Sequence, residues 1–89
     1  MAKYMFFCDP GHGWLRVSRS ELDKLGILNQ ITPYSYQRGD RVFLEEDCDL
    51  STFLMAKAAR GQQVELCEAH TNRQSKIRGY SSFYCSTDR

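Results

Sequence analysis

The chain has 89 residues, enough for one domain with a modest core, since chains this short bury only roughly 60–65% of the surface they expose when unfolded. Apolar residues make up 42% and charged residues 26%, which argues against a disordered chain. The formal net charge of +1 gives bulk electrostatics no pull towards nucleic acid or an anionic membrane.

The apolar run at residues 4–8 is far short of the ~20 residues a membrane span needs, and too short for a secretory core. A cytoplasmic location without membrane association is expected, with Cys8, Cys48, Cys67 and Cys85 reduced. There is no C-x-x-C pair, internal repeat or linker. One globular domain over 1–89 is expected, with residues 86–89 frayed.

In chain order, residues 4–8 are short, aromatic and bounded by turn residues, which predicts a strand. Asp9-Pro10-Gly11-His12-Gly13 must turn, and residues 14–17 read as the hairpin partner. Ser18-Arg19-Ser20-Glu21 fits a capping box in which Ser18 accepts from the N3 amide and Glu21 reaches back, with Val17 and Leu22 as the staple. A two-turn helix over 19–25 follows, closed by Gly26.

Residues 27–31 are ambiguous, and Pro33 favours an extended Thr32. Residues 34–37 read as a strand with Tyr34 and Tyr36 on one face. It returns through Arg38-Gly39-Asp40 as a strand over 41–45. Asp49, or alternatively Asp47, caps a helix whose buried face carries Leu50, Phe53, Leu54 and Ala58, ending at Gly61. Residues 63–67 alternate, which predicts a strand with Val64 and Leu66 inward. Residues 70–76 read as a loop, and residues 77–84 as containing a final strand with Gly79 at a bulge or close approach. The order β-β-α-β-β-α-β-(β) predicts an α+β fold, a small mainly antiparallel sheet with two helices packed on one face.

Four stretches together look familiar: Asp9-Pro10-Gly11-His12-Gly13-Trp14-Leu15, Tyr34-Ser35-Tyr36, Leu44-Glu45-Glu46-Asp47-Cys48-Asp49 and Ser75-Lys76-Ile77-Arg78-Gly79-Tyr80. With them the chain resembles, from about Phe7 to Phe83, a family of small proteins encoded by bacteriophages and prophages. The resemblance implies a setting and no mechanism. Small phage proteins of this kind often bind and redirect a host protein, and they include anti-CRISPR and other inhibitors of bacterial defence. No catalytic residue is carried over.

Read as chemistry, Glu45, Glu46, Asp47 and Asp49 offer oxygens to a divalent cation but lack the spacing of a calcium loop. Helix capping is the plainer role, and a negative patch that binds arginines on a partner is a third. Cys8/His12 and Cys67/His70 lack a familiar zinc spacing, so no metal or other cofactor is expected. Cys48 precedes a helix with His12 or His70 as conceivable base, but the surrounding carboxylates oppose a thiolate, and no enzyme activity is expected.

Gly11-His12-Gly13-Trp14 is the most unusual local feature, either a surface loop approaching a partner or a turn beside a core Trp14. Arg38-Gly39-Asp40 matches an adhesion tripeptide, which in a hairpin is turn chemistry. The leading expectation is non-catalytic binding of a host bacterial protein through His12, Trp14, Tyr34, Tyr36, Glu45, Glu46 and Asp47. The alternative is a nucleic-acid-binding module using Arg73, Lys76, Arg78 and Tyr80, cations for phosphates and rings for bases.

Overall fold

The computed structural model describes residues 2–84. The expected frayed end at residues 86–89 lies outside them. The described residues form an α+β fold, a six-stranded, mostly antiparallel sheet in the order β5-β1-β2-β4-β3-β6 with two helices.

The strands β1 (Ala2–Cys8) and β2 (Gly13–Ser18) make the expected hairpin, with Phe7 opposite Trp14 and Cys8 opposite Gly13. β2 continues antiparallel onto β4 (Arg41–Glu45), and β4 onto β3 (Tyr36–Arg38). Gly39, at φ +60°, supplies the left-handed backbone that the tight β3–β4 turn requires. β5 (Val64–His70) follows α2 (Leu50–Ala59) and lies parallel to β1, so the sheet is mixed at this edge. The final strand, β6 (Ser81–Ser82), is only two residues long and pairs with β3.

Strand alternation divides the apolar residues between two faces. Phe6, Leu15, Val17, Val42 and Leu44 join Leu22 of α1 (Arg19–Lys24) and Phe53 of α2 in the main core. Phe53 is fully buried, with the Tyr4 ring edge-on at 5.3 Å. On the other face Trp14, Phe43 and Ile77 form a second cluster with Phe7, Tyr36 and Tyr80. Its cover is the chain after β5, which includes the 3-10 turn Lys76–Gly79.

Several local expectations are corrected. Ser18 caps α1 through the Glu21 amide at 3.1 Å, but the Glu21 side chain does not return the bond. Its Oε2 instead accepts from Tyr4 Oη at 2.6 Å and Lys57 Nζ at 2.8 Å, which ties β1, α1 and α2 together. Lys57 is buried on the inner face of α2 and Ala58 is exposed, because that ion pair satisfies the ammonium inside. Burial opposes the charged form of Lys57, but hydrogen bonds to Glu21 and Tyr4 hold its pKa above the ordinary lysine value.

Tyr34 lies in the turn after Pro33, before β3 begins at Tyr36, and is 70% exposed. Leu66 is exposed, because β5 is an edge strand and little covers it beyond Val64. Strand β5 runs through His70, so the loop begins one residue later than expected. Gly79 ends the 3-10 turn with open space around it, neither a bulge nor a close approach.

Candidate functional site

Four stretches singled out in the sequence, around residues 9–15, 34–36, 44–49 and 75–80, meet at one end of the sheet. The hub is Asp9, whose side chain is 1% exposed. Its Oδ1 accepts from the amides of Gly11 and His12, both at 2.9 Å, which winds the β1–β2 loop into a tight turn. Its Oδ2 accepts from the Ser75 amide at 2.9 Å and from Arg78 Nε at 2.7 Å, while Arg78 Nη2 reaches Oδ1 at 3.0 Å. This fork is the bidentate geometry in which guanidinium and carboxylate bind best. Arg78, and then the Ser75 amide, hold the Asp9 carboxyl far below the usual carboxylate range. Held this way, the Arg78 guanidinium lies over the Trp14 indole, 5.2 Å from the ring centre.

A second buried carboxylate fixes the opposite wall. Asp49 occupies the N-cap position of α2, but its side chain makes no capping bond to the helix. It is 1% exposed and accepts from the Thr32 amide at 3.1 Å, from Thr32 Oγ1 at 2.8 Å and from Ser35 Oγ. Ser35 Oγ in turn accepts from the Glu45 amide at 3.0 Å. The Tyr34-Ser35-Tyr36 segment is thus pinned to the end of β4 from beneath. Glu45 is itself oriented, since its Oε1 accepts from the Asp47 amide at 2.8 Å.

Between these walls lies an open pocket of about 250 Å³, lined by His12, Trp14, Tyr34, Tyr36, Glu45, Asp47, Cys48 and Arg78. Six of the seven residues expected to bind a protein partner therefore share one cavity. Glu46 is the exception, exposed and outside the lining. Trp14 is both readings at once: 1% exposed in the core and a wall of the pocket. Its indole Nε1 is buried without a hydrogen-bond partner among the described residues. His12 Nδ1 lies 3.1 Å from Glu45 Oε2 and 4.0 Å from Asp47 Oδ2.

The alternative set is divided. Arg78 belongs to the pocket and is committed to Asp9. Tyr80 packs against Phe43 at 5.2 Å and under Arg38. Arg73 and Lys76 stay exposed and border a separate cleft beside Phe7 and His70.

Of the cysteine chemistry weighed from sequence, Cys48 and His12 do line the same pocket, whereas the two Cys/His pairs do not assemble into one metal set. Cys8 pairs with His70 while Cys67 pairs with Met5, an odd register offset that puts the two thiols on opposite faces of the sheet. His70 is occupied with Glu68 at 2.9 Å. Partial desolvation, then the hydrogen bond and charge of Glu45 and the charges of Asp49 and Asp47, push the Cys48 thiol above its ordinary pKa. That is the reverse of what a nucleophile needs.

The sequence reading missed Asp9, Ser35 and Cys48 as parts of this site. The signal for Asp9 was present, because an Asp two residues before a Gly is a side-chain turn former. Asp9 pairs with Arg78 across 69 residues, which no local pattern reports. No protein-family model, no curated protein and no solved structure matches the chain significantly.

Proposed function

We propose that this protein is a non-catalytic binding protein that docks on a protein of a bacterial host through the pocket between the β1–β2 loop, the Tyr34–Tyr36 wall and the end of β4. The single observation that carries this is the convergence of His12, Trp14, Tyr34, Tyr36, Glu45 and Asp47 on one cavity. At about 250 Å³ it falls below the roughly 300–1,000 Å³ of pockets that enclose whole small-molecule ligands, and it suits one large side chain of a partner. Tyr34 stands exposed at the rim, and tyrosine is enriched among residues that dominate binding energy. The resemblance to small bacteriophage and prophage proteins supports the host setting, and inhibition of a bacterial defence system of the anti-CRISPR kind is the corresponding role.

The test is a tagged pull-down from nuclease-treated bacterial lysate with the wild type, Tyr34→Ala, Asp47→Lys and, as a control on the far side of α2, Met55→Ala. A stoichiometric host protein retained by the wild type and Met55→Ala, and lost from both pocket variants, supports the reading. Equal retention by all four removes the pocket from the function.

Nucleic-acid binding is the second reading, favoured by one observation: Arg16 over Phe7 at 5.4 Å and Arg38 over Tyr80 at 5.4 Å place cations on aromatic rings of one sheet face. Its signature is an affinity for single-stranded DNA or RNA that falls steeply with salt.

A further inference from the structure

The His12 imidazole is oddly placed for a histidine with carboxylates beside it. Its Nδ1 is shielded from solvent and makes no hydrogen bond of good geometry among the described residues, although Glu45 Oε2 lies 3.1 Å away, the distance of an ion pair when the ring is protonated. The distance is short enough, so the angles are what fail. Two ligands of one ion stand at such a distance without bonding to each other. Asp47 Oδ2 is the third group, and the three ligand atoms lie within 4.8 Å of one another.

From these observations we propose that His12, Glu45 and Asp47 form a binding site for a divalent transition metal of the zinc or manganese class. The distances fit such an ion. Metal–nitrogen and metal–oxygen bonds of about 2.0–2.2 Å put neighbouring ligand atoms about 3.0–3.4 Å apart. The His12–Glu45 pair already stands at 3.1 Å. Asp47 must close by about 1–2 Å, and its side chain is 73% exposed and able to turn.

The surroundings hold the ligands as metal sites require. Glu45 is fixed by the Asp47 amide on its other oxygen, so Oε2 faces His12. His12 is fixed at its backbone, which donates to Asp9 Oδ1 and accepts from the Asp9 amide at 2.9 Å. One imidazole and two carboxylates exclude a site built for soft thiolate ligation, and the imidazole disfavours magnesium and calcium. Three protein ligands facing a pocket leave coordination positions open, as catalytic and exchangeable sites do and closed structural sites do not. The proposal does not rest on the docking reading.

Isothermal titration of the metal-free protein with zinc chloride in a non-coordinating buffer, repeated with manganese chloride, tests it. One equivalent should bind, reversed by a chelator. His12→Ala and Asp47→Asn should each weaken binding tenfold or more, while Cys48→Ala should bind as the wild type does. Circular dichroism and the thermal midpoint of each metal-free variant establish that it is folded. Absence of one-to-one binding by either metal overturns the proposal. So does undiminished affinity in a folded His12→Ala protein, and so does loss of binding in Cys48→Ala, which would hand the ion to the thiol.

Discussion

Replacing Asp49 by alanine separates two roles that a carboxylate before a helix can have. If Asp49 were only the cap of α2, its loss would cost about 1 kcal/mol, within the usual 0.5–2. In the structure its carboxylate makes no capping bond and instead receives the Thr32 amide, Thr32 Oγ1 and Ser35 Oγ at 1% exposure. A hydrogen bond to a charged group contributes about 1.5–3 kcal/mol, and each buried donor left unpaired costs about 1–3 kcal/mol. The two hydroxyls can rotate towards other acceptors and the Thr32 amide cannot, so the sum comes to about 3–5 kcal/mol. A domain of this length holds roughly 4–13 kcal/mol in all, so Asp49→Ala should remove about a quarter of it or more. The assay is urea denaturation followed by circular dichroism, with Ser35→Ala beside it as the milder variant at about 1.5–3 kcal/mol. A loss near 1 kcal/mol for Asp49→Ala, with Ser35→Ala indistinguishable from the wild type, would refute the anchoring role.

Other consequences follow from the same geometry. Gly13→Ala should destabilise the fold by about 1–3 kcal/mol by overpacking, because an added Cβ meets Phe6 Cζ and stands 2.9 Å from Cε2; a thermal melt checks it. The Asp9 carboxyl is depressed from its ordinary value of 3.8, so its contribution is present above that pH and lost as pH falls below it. Midpoints recorded from pH 7 to pH 2 should therefore fall more steeply for the wild type than for Asp9→Asn, and parallel curves would contradict the Arg78 clamp. Cys48, though exposed, should react with iodoacetamide at pH 8 more slowly than a free model thiol, read by peptide mass spectrometry. Glu21→Gln should cost about 1–3 kcal/mol, since Tyr4 and Lys57 share its Oε2, and chemical denaturation measures this.

What the sequence made legible was local. Asp9-Pro10-Gly11 marks a turn and Phe6/Leu15 alternate with Phe7/Trp14, so the first hairpin and its two faces could be read directly. The Ser18 cap and Gly26 bracket α1 by the same local logic. What stayed hidden lies in contacts between distant segments. Counting apolar residues on α2 put Ala58 inside, because the burial of Lys57 depends on Glu21, 36 residues away. Asp49 looked like a cap because its acceptor role is set by Thr32 and Ser35, 17 and 14 residues earlier. The acidic run was weighed for a cation from its own residues alone, whereas Glu45 and Asp47 face a histidine just before the start of the neighbouring strand, 33 and 35 residues earlier in the chain. Tyr34 and Tyr36 were expected on one strand face, and they reach the same pocket although only Tyr36 is in a strand.

The parallel pairing of β1 with β5 also bears on how the chain is made. Val64 follows Ala2 by 62 residues, and the two stand opposite each other in the finished sheet. At synthesis rates of about 5–20 residues per second, the first strand waits roughly 3–12 s for its neighbour to be translated. During that interval β2 can pair with only one edge of β1, and the opposite edge, which β5 takes from Ala2 to Cys8, offers unpaired backbone. The nascent chain is therefore exposed to misassociation along the whole of β1 until β5 has been translated.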